Sequence, residues 1–404
     1  MFAKNDFKYK MNTMPQSDDK NLSLMSETEI KKARKFHESF PQYEVTPLVD
    51  LKEMAKYLGL KKVSVKDESY RFGLNAFKVL GGSFAMAKYI ASKLNRDVSE
   101  CDYNYLTSDN LKKEFGQTTF FSATDGNHGR GVAWSANKLG QKAVILMPKG
   151  STKTRFDNIQ KEGAKVTIEE VNYDECVRMA AAQCKTLTDK GESAVVVQDT
   201  AWEGYTEIPT YIMQGYGTMS SEAVEQLGER PTHIFVQAGV GSLAGAVVGY
   251  FSNKYKDNPP KMIVVETSCA DCLYKGALAN DGNPRIVDGE MNSIMAGLCC
   301  GEPSTISWDI LRNHVSAFIS AEDIVAARGM RMLGSPLKGD KPIVSGESGA
   351  VPFGALATIM LSDDFKELRE ELDLNSNSNV LLFSTEGDTD PIRWKNIIWE
   401  AKER

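Results

Sequence analysis

Lys78 stands in the stretch RFGLNAFKVLGGSFA, residues 71–85, an ammonium among apolar residues immediately before a glycine pair. Asn75 is placed to cap a helix over residues 75–93, which sets Lys78 in the first turn, where the helix dipole disfavours a cation. Most lysines simply extend their charge into solvent along an apolar stem. A lysine that is desolvated in positive potential behaves differently: it gives up its proton more readily and becomes an amine able to form a Schiff base.

Three further stretches could bind or react. In SATDGNHGRG, residues 122–131, an apolar strand ends and a helix begins. Gly126, Gly129 and Gly131 let backbone amides approach a carboxylate or phosphate at that helix N-terminus. Asp125, Asn127 and His128 supply polar groups beyond those a plain connecting turn requires. In HIFVQAGVGSLAGAVVGY, residues 233–250, a strand, a glycine-rich turn and a small-residue helix start again suit a phosphate. Here Gly239, Gly241 and Ala244 also satisfy G-x-G-x-x-A, and Glu266 ends the next strand where a dinucleotide site places its ribose acid. Taken alone that pattern reads as nicotinamide binding, but it leaves Lys78 and the DGNHG turn without a role. Last, VLLFSTEGDTDP, residues 380–391, delivers Ser384 and Thr385 to the carboxyl end of a strand, where open α/β sheets hold their ligands. A hydroxyl there can equally cap the following turn.

The elements that must position these residues alternate between short β-rich runs and longer helical ones, an α/β organisation without internal repeats. Strands are predicted at KKVSVKD, TTFFSATD, KAVILMP, AKVTIEE, AVVVQD, THIFVQAG, KMIVVET and NVLLFST, several apolar at nearly every position as in sheets covered on both faces. Helical periodicity marks 75–93, 129–139, 151–161, 173–190, 209–226 and 243–254. The strand, helix, strand run from Gly140 to Glu170 implies a right-handed parallel crossover. It belongs to an expected small domain over 84–195, with 1–83 and 196–404 forming a large cofactor-binding domain.

Composition narrows the function classes. With 404 residues, 42% hydrophobic and 25% charged, the chain can bury a sizeable core. A net charge of -6 and the lack of a Lys/Arg run argue against nucleic acid. The first residues, MFAKNDFKYKMNTMPQSDDKNLSLMSE, lack a signal peptide's apolar core, and no later stretch is apolar enough to span a bilayer, so a cytoplasmic protein is expected. Seven cysteines without CxxC spacing fit buried thiols in a reducing compartment, and four histidines at no ligand spacing from Cys269, Cys272, Cys299 or Cys300 give no metal site.

In this order, NAFKVLGG, DGNHGRG, AGVGSLAG and STEGDTD resemble the fold type II pyridoxal phosphate enzymes, the tryptophan synthase β and serine/threonine dehydratase group, over nearly the whole chain. Within that group KDESYRFGLNAFKVLGG, TDGNHGRGVAW, QDTAWEGY, IMQGYGT, IMAGL, SGESGAV and STEGDTD are most similar to the diaminopropionate ammonia-lyases. The resemblance implies two open, mostly parallel sheets flanked by helices, in a large and a small domain. It implies pyridoxal 5'-phosphate as cofactor, with Lys78 as the Schiff-base lysine and Asn127 on the phenolic oxygen. The amides of Gly239, Val240, Gly241, Ser242 and Leu243 would cradle the phosphate, and Thr385, together with Ser384, would face the pyridine nitrogen. A neutral hydroxyl cannot keep that nitrogen protonated as a carboxylate would, and the weaker electron sink suits β-elimination better than transamination.

The implied reaction is α,β-elimination of D- and L-2,3-diaminopropionate to pyruvate and two ammonia. Thr124, Asp125, Gly126 and His128 would bind the substrate, and Lys78, Asp125 and Asp199 would be catalytic. Asp125, where dehydratases carry a serine or similar small residue, would pair with the β-ammonium and serve as base for the D isomer, with Lys78 serving the L isomer. Glu347 of SGESGAV is shifted from the family's acidic residue and receives no role. A homodimer acting on a small amino acid is expected, without nucleic-acid or membrane partners. The alternatives are a serine/threonine dehydratase-type lyase, a nicotinamide-dependent dehydrogenase built on the Gly239 turn, and a non-catalytic amino-acid sensor.

Overall fold

The computed structural model describes residues 3–124 and 126–402, so Asp125, singled out above, lies outside the described residues. In chain order the strands are β1 (Phe7–Met11), β2 (Leu48–Asp50), β3 (Lys62–Asp67), β4 (Thr119–Ala123), β5 (Lys142–Met147), β6 (Lys165–Ile168), β7 (Ala194–Val196), β8 (His233–Gln237), β9 (Lys261–Thr267), β10 (Ala317–Ala321) and β11 (Asn379–Ser384). They form a seven-stranded sheet in the order β1-β10-β9-β8-β11-β3-β2 and a four-stranded sheet in the order β6-β5-β4-β7. The small sheet is wholly parallel. In the large sheet only the two outermost pairings, β1 with β10 and β2 with β3, are antiparallel. This is the expected α/β class with two mostly parallel sheets.

The apolar runs became strands for the anticipated reason. β8 and β11 are buried at every residue, as strands covered on both faces must be. The strands the patterning missed are those with the weakest signal. β1, FKYKM, is buried only at Phe7; β2 is three residues long; and β10, AFISA, mixes small and polar residues.

Chain contacts divide the protein into two compact units, residues 1–27, 45–75 and 219–404, and residues 28–44 and 76–218. These limits differ from the expected 84 and 195, because close glycine contacts hold the Lys78 helix in the second unit. A Cβ on Gly215 would lie 2.3 Å from the Leu80 carbonyl oxygen, and one on Gly131 would lie 2.8 Å from the Val79 amide nitrogen. The first unit contains the large sheet and a core that includes Phe235, Ile263, Ile319, Phe353 and Leu382. The second contains the small sheet and a core of Phe121, Ala123, Leu146, Cys176 and Ala180.

Asn75 does not cap the helix. It adopts a left-handed φ of 60°, and its side-chain amide donates to Asp388 Oδ1 at 3.0 Å. The helix starts at Val79 and ends at Lys93, with Lys78 itself as its N-cap residue.

The first unit also buries a charge cluster between β3, the turn after it and the helix Glu207–Leu227. Lys66 Nζ donates to Glu222 Oε2 at 2.6 Å, the Thr46 carbonyl at 2.7 Å and Gln226 Oε1 at 2.8 Å. Arg71 forks onto both Glu222 oxygens at 2.8 Å and reaches Glu68 Oε2 at 2.8 Å. Two cations face two carboxylates, and the side chains of Lys66, Arg71, Glu68 and Glu222 are 0% exposed. Burial alone would raise the Glu222 pKa, but the Arg71 and Lys66 charges outweigh it and bring the group from 4.5 to about 2.

Glu222→Gln leaves two buried cations with one carboxylate and should lower stability at neutral pH by about 3–5 kcal/mol, read by urea unfolding. Because the folded-state pKa is depressed, the contribution of Glu222 is complete above its ordinary value of 4.5 and fades as pH falls towards 2. The two proteins should therefore converge in stability across that acid window; a constant difference would contradict the assignment.

Candidate active site

In the second unit, Lys78 is held at a helix N-terminus with its side chain 23% exposed, and its Nζ hydrogen-bonds to Asp199 Oδ2. Asp199 lies just past β7 with its side chain 8% exposed. His128 Nδ1 is 3.9 Å from the same carboxylate oxygen, while its Nε2 bonds the Val197 carbonyl at 3.0 Å. The buried Tyr216 hydroxyl donates to Asp199 Oδ2 at 3.5 Å. The rings of Phe77 and Tyr216 flank the Lys78 ammonium, with centroids 5.4 and 5.7 Å from Nζ. Burial would raise the Asp199 pKa, but Lys78 and His128 hold the carboxyl well below the usual range, so it is ionised at neutral pH. Burial pushes the Tyr216 phenol up, which keeps it a neutral donor.

The ATDGNHG turn is built around Thr124. Its buried hydroxyl accepts from the Gly126 amide at 3.0 Å and the Gly129 amide at 3.1 Å, tying the end of β4 to the helix Asn127–Lys138 that Asn127 opens. Thr124 is thus committed to shaping the turn, and two of its amides are committed to Thr124. The glycines are needed for close approach. A Cβ on Gly129 would meet Thr124 Cγ2 at 2.2 Å, and a Cβ on Gly131 would fall 2.8 to 3.0 Å from the backbone of Lys78 and Val79.

In the first unit, β8 leads through Gly239 and Val240 to Gly241, which takes a left-handed φ of 98° and precedes the helix Ser242–Lys254. No side-chain hydrogen bond from the N-cap residue, Gly241, closes that helix, and helix N-termini of this kind favour anions. A Cβ on Gly239 would approach the Leu298 Cα to 3.3 Å. At the end of β11 the hydroxyl of Ser384 donates to Ser345 Oγ at 2.8 Å, whereas that of Thr385 accepts from Gln237 Nε2 at 2.5 Å. Glu266, the acid of the dinucleotide-like pattern, is 0% exposed and accepts from the Leu273 and Tyr274 amides at 2.9 and 2.6 Å. It caps the helix Cys272–Ala279 and is not displayed to a ribose, which removes the support for a nicotinamide site. Glu347 Oε1 lies 3.6 Å from Arg393 Nε. The Cys269 and Cys299 sulfurs are 3.8 Å apart, and Cys299 draws the Cys269 thiol down to about 7. Among the described residues no group of three or more His, Cys, Asp or Glu could hold a metal ion.

A lysine at a helix N-terminus, a glycine-rich turn before a helix and a strand-end hydroxyl are group types that a phosphorylated pyridine aldehyde can use. Comparison with known proteins agrees, since residues 40–385 match the family described as pyridoxal-phosphate dependent enzyme. The chain belongs to that family.

Among relatives of this pyridoxal-phosphate dependent enzyme is diaminopropionate ammonia-lyase of Salmonella typhimurium, 49% identical over 386 residues that cover 94% of each chain. The holo form of diaminopropionate ammonia lyase from Escherichia coli superposes with a TM-score of 0.88 at 44% identity, covering 98% of this chain and 97% of the other. The same Escherichia coli enzyme in complex with an aminoacrylate-PLP azomethine reaction intermediate gives 0.86 at 44% identity and the same coverage. Pyridoxal phosphate is therefore the cofactor of this chain, and the fold is that of the fold type II enzymes.

The patterning did not single out Tyr216, Phe77 or Gln237. Tyr216 lay inside IMQGYGT and Gln237 inside HIFVQAG, but a tyrosine in a helix and a glutamine closing a strand look like core residues until their neighbours are known. Phe77 carried the only local signal, its place beside Lys78.

Gly131→Ala forces a methyl into backbone that no side chain can vacate, and should cost about 1–3 kcal/mol by overpacking while displacing Lys78. Gly82→Ala is the control, since its Cβ would meet nothing nearer than 3.4 Å. Thermal unfolding should separate the two, and equal Tm losses would refute the contact argument.

Proposed function

We propose that the protein eliminates ammonia from D- and L-2,3-diaminopropionate, yielding pyruvate and two ammonia. The observation that carries the reading is an ionised, buried Asp199 in hydrogen-bond contact with the Lys78 amine. A leaving hydroxyl has no charge for that carboxylate to hold, whereas a leaving β-ammonium does, so the arrangement favours diaminopropionate over serine or threonine. Bound pyridoxal phosphate supplies the electron sink for the pair left when the α-proton departs.

Lys78 would hold the cofactor through its amine and, with that amine free, would take the α-proton of the L isomer. Asp199, its ammonium partner withdrawn, accepts the β-ammonium, which leaves as neutral ammonia once the bond from the β carbon breaks. The released enamine hydrolyses to pyruvate and the second ammonia. Asp125 would serve as the base for the D isomer, as the resemblance implies. Asn127 would bond the cofactor's phenolic oxygen, and the amides of residues 239–243 would hold its phosphate. Thr385 would meet its pyridine nitrogen, with Ser384 holding the strand end through Ser345. The Thr124 turn and His128, with Gly126, shape the substrate's carboxylate site. In the domain division proposed from the sequence, a small domain over 84–195 carries the Asn127 turn and the large domain carries the phosphate turn. Resemblance to the family supports a homodimer, and the lack of any helix long and apolar enough to cross a membrane among the described residues is compatible with the cytoplasm. Gel filtration with light scattering tests the dimer.

Turnover of diaminopropionate, serine and threonine is the decisive panel, with diaminopropionate expected to be the best substrate of the three. Lys78→Ala should abolish both turnover and the visible absorbance of bound cofactor while the protein stays folded by circular dichroism. Asp125→Asn should lose D-isomer turnover by about 10²-fold, the contribution of a positioned general base, and L-isomer turnover far less. Equal small losses on both isomers would return the dehydratase reading.

A further inference from the structure

Gln237 closes β8 directly beside the strand end that carries Thr385, because β8 and β11 run parallel in register from His233 opposite Val380 to Phe235 opposite Leu382. Both residues are buried, at 1% and 3% exposure. Gln237 Nε2 lies 2.5 Å from Thr385 Oγ1 and 3.4 Å from the Phe383 carbonyl oxygen. The second contact decides which way the amide faces. Turned over, it would set Oε1 against the Phe383 oxygen, two acceptors in contact, whereas as placed its N–H groups meet two acceptors. Gln237 Oε1 has no hydrogen-bond partner among the described residues, so no donor competes for the opposite orientation. The nearest carboxylate along the chain, Glu386, is engaged by the Ser348 amide, whose nitrogen is 3.3 Å from its Oε1.

A hydroxyl that accepts from a fixed N–H turns its one proton away from that donor, towards another partner. We propose that Gln237 is a positioning residue that sets the polarity of the Thr385 hydroxyl, so that Thr385 donates to the cofactor's pyridine nitrogen and keeps that nitrogen unprotonated. The inference rests on the reading above that Thr385 meets the nitrogen, and adds to it that the amide one strand away fixes the direction of that hydrogen bond. An unprotonated ring is the weaker electron sink, which favours loss of a β-substituent over reactions that store the electron pair in the ring. Gln237 itself touches neither substrate nor cofactor in this account.

The test uses the holoenzyme loaded with pyridoxal phosphate carrying ¹⁵N in its ring, observed by solid-state ¹⁵N NMR, a readout independent of turnover. The wild-type ring resonance is expected at the position of a hydrogen-bonded, unprotonated pyridine. Gln237→Glu offers an acceptor where the amide offers a donor, reverses the Thr385 hydroxyl and should move the resonance towards protonated pyridine. Gln237→Met keeps the volume, removes the donor and should move the resonance away from its hydrogen-bonded value. Thr385→Ser, which retains the hydroxyl, should leave the wild-type resonance in place. A shift in either loaded Gln237 variant supports the proposal. It is overturned by a wild-type ring already protonated, or by an unchanged resonance in both Gln237 variants. Failure of the wild-type protein to take up the cofactor would refute the proposed function instead.

Discussion

The site depends on one electrostatic conflict and its resolution. Lys78 carries an ammonium at the positive end of a fifteen-residue helix, a place that disfavours cations. Asp199 resolves the conflict by contact, and is itself kept ionised against burial by Lys78 and His128. Each member is therefore uncomfortable without the others. The loop after β7 must bring Asp199 up, the Thr124 turn must set His128, and the helix Glu207–Leu227 must bring Tyr216 within reach of the carboxylate. Removing the Lys78 charge would raise the Asp199 pKa, because that charge is the main influence holding it down against burial.

The Lys66, Glu68, Arg71 and Glu222 cluster uses the same chemistry to a different end. Its side chains are wholly buried and its charges balance within it, so no demand for a further ligand remains. Lys78 is 23% exposed, so its ion pair can be approached and exchanged. Accessibility, more than the identity of the charged residues, separates the sealed ion pair from the one that solvent can reach.

The chain's α/β class, eight of its strands and the Lys78, DGNHG and AGVGS motifs were legible in the sequence because each is a local pattern. Strands covered on both faces read as apolar runs, and turns that admit ligands read as glycines beside polar residues. What was not legible depends on partners far along the chain. Asn75 looked like a helix cap, yet a left-handed backbone turns it to Asp388 and gives the cap position to Lys78. Glu266 looked like a ribose acid, and only the fold shows it spent on the start of the helix Cys272–Ala279. The edge strands β1 and β2 escaped because a strand exposed on one side or only three residues long has little periodicity to show. Tyr216 and Gln237 acquire meaning only from the carboxylate and the hydroxyl they touch.

The approach of Gly131 to Lys78 and Val79 also constrains how such a protein can change over evolutionary time. The atoms that a Cβ at 131 would strike are the nitrogen and Cα of Val79 and the carbonyl carbon of Lys78, all main chain. Tight side-chain contacts drift in compensating pairs, one residue shrinking as the other grows. Here no replacement at 78 or 79 can make room, because every amino acid carries those same atoms. Position 131 should therefore stay glycine among descendants without any partner that varies in step with it, and methods that infer proximity from correlated substitution would be blind to the contact that seats Lys78.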